Sequence, residues 1–83
     1  MKLVFLGRFG EIADARLTNL TRPQGVHTLA QLQDWLAKTE PALAQALARA
    51  RTQYAVNQTI VRDPSHPISD QDEIAFLPPM SGG

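Results

Sequence analysis

At 83 residues the chain is long enough for one small domain, burying a little over ~60 % of its unfolded surface around one modest core. It has no cysteine, which excludes disulfides, thiolate metal sites and a thiol nucleophile within the chain. Eight Lys and Arg balance eight Asp and Glu, so the chain lacks the basic footprint of a nucleic-acid binder.

The opening Met1-Lys2 leads into the apolar run Leu3–Leu6, read as a buried strand. Gly7-Arg8 ends that run too early for a signal-peptide core or a membrane span, and the absence of cysteine fits the expectation of a cytoplasmic protein. Arg8 to Asp14 reads as a loop or one helical turn. Phe9 and Ile12 within it either form an exposed patch or close the core, and Phe9 is carried forward as a candidate docking residue. Ala15 to Thr21 alternates loosely, with Leu17 and Leu20 inward, and reads as a second strand. Pro23-Gln24-Gly25 makes a turn.

Thr28 and Gln31 have capping-box spacing: the Thr28 hydroxyl accepts from an early helix amide while Gln31 reaches back. Leu29, Leu32 and Leu36 then recur at helical spacing, with Trp35 as a helix–sheet packing residue. This main helix is expected to end at Lys38 or Thr39. Pro41 suits a helix's first turn, and Leu43 and Leu47 share one face of the alanine-rich stretch Ala42 to Arg51. Arg49 and Arg51 form the solvated end of that second helix, where positive charge suits the dipole.

Tyr54-Ala55-Val56 and Thr59-Ile60-Val61 flank Asn57-Gln58, a tight reversal at which Asn tolerates positive φ. Arg62 to Pro67 reads as a loop, followed by a turn through Asp70-Gln71-Asp72. Asp70, Asp72 and Glu73 lack calcium-loop spacing and read as an acidic rim able to steer a basic partner. His27 and His66 lack a ligand-pair spacing, so no metal site is expected. Glu73 to Leu77 is the last strand, with Ile74 and Phe76 inward and Leu77 pointing the other way, a candidate for docking.

The chain then runs Pro78-Pro79-Met80-Ser81-Gly82-Gly83. The prolines end the strand and stiffen the segment beyond it. The six residues after Leu77 reach roughly 20 Å when extended. Glycine, lacking a Cβ, lets another protein's backbone approach closely. Met80 is able to anchor in an irregular groove. If Gly83 is the native end, its main-chain carboxylate is the expected reactive group. The expected organisation is a domain over 1–77 with an extended, flexible tail over 78–83. A sheet with one main helix on one face is an α+β two-layer solution. If the first and last strands lie side by side at its centre, the tail leaves from the middle of the sheet.

This element order, with its tail, resembles the ubiquitin-like β-grasp fold, about five strands in a mixed sheet on one main helix. More narrowly, the chain resembles the small subunits of molybdopterin synthase, the MoaD-type sulfur carriers. The residues carrying the resemblance are Ala55-Val56-Asn57-Gln58-Thr59, His66-Pro67-Ile68-Ser69-Asp70 and Asp72 through Gly83. Gln71 departs from the glycine usual in that family, implying either local strain or a different turn.

The resemblance implies a shuttle. A partner similar to ubiquitin-activating enzymes adenylates the Gly83 carboxylate with ATP, and a persulfide donor's sulfur replaces AMP to give a thiocarboxylate. The large synthase subunit then takes in the tail (Pro78, Pro79, Met80, Ser81, Gly82) and uses the sulfur to convert cyclic pyranopterin monophosphate to molybdopterin. The implied assembly is a heterotetramer of two small and two large subunits. The chain itself binds no cofactor and is not catalytic alone, since no acid–base set converges in its sequence. Two other sulfur acceptors fit the same chemistry, thiamin thiazole and tRNA. A β-grasp interaction module with an inert tail, or a modifier conjugated to lysines, are readings of different classes.

Overall fold

The computed structural model describes residues 1–79 of the chain. Strand β1 (Lys2–Phe5) is followed by a single helical turn α1 (Phe9–Ile12) and a 3₁₀ turn (Ala15–Thr18). Helices α2 (Leu29–Thr39) and α3 (Pro41–Arg49) come next, then strands β2 (Gln53–Val56), β3 (Thr59–Val61) and β4 (Glu73–Leu77). The strands make one sheet in the order β1-β4-β2-β3. β1 and β4 run parallel, while β2 runs antiparallel to both β4 and β3. A parallel pair needs a crossover, and here nearly the whole chain supplies it, carrying the helices onto one face. The two end strands are thus neighbours, as expected, but only β4 is central, between β1 and β2; β1 is an outer strand, its free side left to the segment after α1.

The main helix forms as its cap predicts. The Thr28 hydroxyl accepts from the Gln31 amide, and the Gln31 side chain accepts from the Thr28 amide. Pro41 starts α3 directly after α2. Leu29, Leu32 and Leu36 of α2 and Leu43 and Leu47 of α3 are buried, and Trp35 packs half-buried against them. From the sheet, Leu3, Ile74 and Phe76 meet these leucines with almost no exposure. Phe76 stacks on Phe5 with ring centroids 4.5 Å apart and meets Tyr54 edge-on at 5.4 Å. Both arrangements are favoured by the ring quadrupoles. No polar or charged residue is buried among the described residues.

One expected strand is absent. Residues 15–18 coil into the 3₁₀ turn, which starts where the Asp14 carboxylate accepts from the Arg16 amide. Leu17 is inward as expected, but it reaches the core from a turn. Only Asn19 bridges to Lys2, and the Leu20 amide donates to Met1 O at 2.9 Å. The sheet therefore has four strands rather than about five, with this segment covering the outer edge of β1. Two leucines three apart satisfy a turn as readily as a strand, so the alternation alone did not decide.

The β2–β3 reversal has Asn57 at φ 50° and Gln58 at φ 70°. Positive φ at both central residues matches the right-handed twist of a two-residue hairpin. The Asn57 side chain then ties the hairpin to the start of β4: its Nδ2 donates to Asp72 Oδ1 and its Oδ1 accepts from the Glu73 amide, both at 2.9 Å. At Gln71 the strain alternative is settled by a different turn, because Asn57 and Gln58 are the only non-glycine residues with positive φ among those described. The Asp72 amide donates to Ser69 O at 3.1 Å, and the Ser69 amide to Asp72 Oδ2 at 2.8 Å. That closed loop holds the segment without a glycine.

Candidate functional site

The sheet has one face under the helices and one open. Alternation along each strand, with the observed register, puts Val4, Ala75, Ala55 and Ile60 in one row across the open face. Toward the end where β4 leaves, Leu77 pairs with Gln53, and the Leu6 amide donates to Phe76 O at 3.1 Å. Leu77 is half-buried and turned away from Phe76, as the alternation predicts. Leu6 is 41 % exposed and Ile60 46 % exposed. An apolar row ending in exposed Ile60, with exposed Leu6 just beyond β1, on a sheet face that no element among the described residues covers, is what a partner-binding surface requires.

Phe9 does not belong to this surface. It is 0 % exposed, because α1 folds back over the end of β1: the Phe9 amide donates to Leu6 O and the Ala13 amide to Phe9 O. Docking through Phe9 would require that turn to open, so its role is core closure. Ile12 remains outside, at 44 %. Sequence reasoning missed Leu6 and Ile60. The signal for Leu6 was period two within the run Leu3–Leu6: Leu3 and Phe5 point to the helices, Val4 and Leu6 away from them. For Ile60 the signal was its place opposite Ala55 across a two-residue turn.

The tail root is seated. Pro78 is half-buried and lies over Gly7, where an added Cβ would stand 3.1 Å from Pro78 Cγ. Gly7 also has φ +59°, a conformation glycine adopts without penalty. Pro79 is exposed. The central strand and this notch together set the direction in which the chain leaves. Met80, Ser81, Gly82 and Gly83, expected as tail and reactive end, lie outside the described residues.

The acidic residues sit at the opposite end, where β4 begins. Asp70 accepts from the Arg22 amide at 2.7 Å and from the Met1 ammonium at 3.2 Å; these contacts, the Arg22 amide foremost, hold its carboxyl below the usual carboxylate range. Asp72 is lowered too, chiefly by the Asn57 side-chain amide, with the Ser69 amide adding to it. These carboxylates serve the turn as well as the rim. Burial pushes the Tyr54 hydroxyl up, partly offset by Gln33 beside it. His27 Nδ1 lies 3.1 Å from the Arg22 guanidinium, an unfavourable place for a metal ligand. Among the described residues no three His, Cys, Asp or Glu gather as metal ligands. No helix among them is long and apolar enough to cross a membrane. The described geometry therefore offers a face and an exit for a tail.

Three comparisons bear on this arrangement. The model of the ThiS family matches residues 3–83. The molybdopterin synthase sulfur carrier subunit of Escherichia coli (strain K12) is 32 % identical over 83 residues, spanning 100 % of this chain and 99 % of that protein. The crystal structure of SAMP1 from Haloferax volcanii superposes with a TM-score of 0.71, covering 98 % of this chain and 96 % of that one. Its 22 % identity makes that likeness evidence for the fold alone. With the ubiquitin-like β-grasp architecture in place and a family match that runs through the Gly-Gly end, the chain belongs to the ThiS family.

Proposed function

We propose that this protein is a cytoplasmic sulfur carrier for molybdopterin synthase, acting in molybdenum cofactor biosynthesis through the carboxylate of Gly83. The observation that carries the reading is full-length identity of 32 % to a molybdopterin synthase sulfur carrier subunit. Support comes from a tail root that leaves the central strand beside an apolar open face. A free carboxylate is a poor electrophile. In the partner activating enzyme it attacks the α-phosphate of ATP, releasing pyrophosphate and forming an acyl-adenylate. The outer sulfur of a donor persulfide then adds to the acyl carbon and AMP leaves. A thiol cleaves the resulting S–S bond, leaving a thiocarboxylate on Gly83 and a disulfide on the thiol side. The large subunit supplies the pterin pocket and the acid–base groups, and hydrolysis after sulfur transfer regenerates the carboxylate. Pro78, Pro79, Met80, Ser81 and Gly82 form the inserted arm. Leu77, Leu6 and Ile60 dock against the large subunit in a complex of two small and two large chains.

The test is intact mass spectrometry after incubation with ATP, an activating enzyme proven on a known carrier, and a persulfide donor. The expected result is a sulfur-for-oxygen mass increase that fragmentation places on Gly83. An unchanged mass sinks the reading. Supplying cyclic pyranopterin monophosphate, a thiamin thiazole precursor or tRNA to the charged carrier then identifies the acceptor.

The docking face has its own test. Ile60→Thr keeps the β-branched shape and strand preference while removing apolar surface. Its melting midpoint should stay near that of the parent protein, whereas affinity for the large subunit should fall about tenfold, or ~1.4 kcal/mol. Unchanged affinity in a calorimetric titration excludes Ile60 from the interface.

A further inference from the structure

Zero net charge conceals an uneven layout. Asp70, Asp72 and Glu73 stand where β4 begins, with the Met1 ammonium and Lys2 paired to two of them. Arginines stand where β4 ends. Arg8 follows Gly7, the seat of Pro78. Arg62 follows Val61, which pairs with Tyr54 at the start of β2, and Arg51 precedes the same strand. Arg49 closes α3. All four are exposed, and none forms an ion pair with a carboxylate among the described residues.

Two of these arginines share a groove between α1 and α3. Arg8 and Arg49 stand over an apolar floor of Ile12, Ala46 and Ala50. The alanines are four apart on α3 and its end, so they present a flat strip, and Ile12 beside them is 44 % exposed. Glu11, on α1, is the nearby acid by sequence but does not line the groove.

We propose that this groove docks an acidic segment bearing an apolar side chain, on the activating enzyme that takes up the tail for adenylation. Three observations carry this. Guanidinium forks are matched to carboxylates, and here two stand over one groove. The floor between them is apolar and partly exposed, so the occupant needs an apolar side chain as well as charge. The groove also begins one residue from the Pro78 seat, which puts Arg8 beside the root of the tail. The exposed arginines at this end favour approach of the tail root to an acidic surface during encounter. The proposal rests on the carrier reading for its partner, but not for its ligand chemistry.

The experiment therefore has two arms. In the first, the isotopically labelled full chain is titrated at low salt with a peptide of alternating Glu and Leu, then with its Lys–Leu counterpart. Amide shifts centred on Arg8, Ile12 and Arg49, with the acidic peptide alone, are expected. Arg8→Ala/Arg49→Ala should abolish them. Shifts that are absent, spread evenly, or equal for both peptides overturn the proposal. In the second arm, the double variant is a substrate for ATP-dependent charging by the activating enzyme, with Lys38→Ala as a cation outside the groove. KM should rise about three- to tenfold with kcat unchanged, the sum expected of two exposed charge contacts. The fall of kcat/KM with added salt should flatten. Parent-like KM and salt dependence in the double variant overturn the groove while leaving the carrier function standing. Groove-centred peptide shifts in a chain that no activating enzyme charges uphold the groove and overturn the carrier function.

Discussion

Removing Gly83 alone should abolish thiocarboxylation while leaving thermal unfolding unchanged. Among the described residues the buried apolar ones lie between Met1 and Phe76, and the last described contact of the tail is Pro78 against Gly7. Deletion touches none of these. What it changes is reach: the new carboxylate, on Gly82, stops about 3.5 Å short of its former position. Attack on an α-phosphate demands a near-attack geometry, and a displacement of even 1 Å costs on the order of 100-fold. The rate of charging should therefore fall below detection, with affinity for the large subunit reduced far less because the open face remains. Two measurements decide the matter, intact mass after charging and a melting curve. Undiminished sulfur loading in the shortened chain would sink the assignment of Gly83. An equally cooperative transition at the same midpoint separates a lost reaction from a lost fold. An interaction module with an inert tail predicts something else again: no charging in either protein, and identical partner binding.

The parts of the fold legible in the sequence are those fixed by short-range chemistry. Thr28 and Gln31 make a capping box wherever a helix follows them, and the Leu29, Leu32, Leu36 spacing leaves little choice of face. Asn57-Gln58 between two apolar triplets specified the hairpin, and Ile74 and Phe76 specified the buried side of β4. The misread positions are those decided by how a segment packs against β1 rather than by the spacing of its own residues. Leu17 was placed inward correctly, but its segment coils because Asp14 caps it and β1 needs only Asn19 and Leu20 at its edge. Phe9 and Leu6 exchanged roles for a similar reason. Packing of α1 over the end of β1 takes Phe9 into the core, and the period-two alternation that puts Leu6 outside it is masked by an unbroken run of four apolar residues. On the site, the family resemblance named the reactive end, whereas the open face needed the strand register to become visible. Arg49 and Arg51 read as a solvated helix end. Only the fold places Arg49 with Arg8, forty-one positions earlier in the chain by their numbering.

Phe76→Ala should cost about 3–5 kcal/mol of stability. Phe76 is 0 % exposed near the end of β4, flanked by Phe5 on one side and Tyr54 on the other. Truncation loses the transfer free energy of the ring and leaves a void. Phe5 and Tyr54 belong to neighbouring strands whose register fixes their backbones, so they cannot close that void fully. The two aromatic contacts add about 0.5–1.5 kcal/mol each beyond area. For a domain whose total stability is on the order of 5–15 kcal/mol, the loss is a large fraction of the whole. At about 4–8 °C per kcal/mol for a chain of this size, the melting midpoint should drop by more than ~12 °C. A chemical denaturation series gives the same free energy with an independent slope. A midpoint barely moved would show that Phe76 is not the keystone the geometry makes it. The variant also separates fold from function in the direction opposite to the Gly83 deletion. Gly83 remains, so at low temperature, where the fold persists, charging per folded molecule should match the parent protein. It should fail only as the domain melts, because Leu77 and Pro78 follow directly from the strand that Phe76 holds in place.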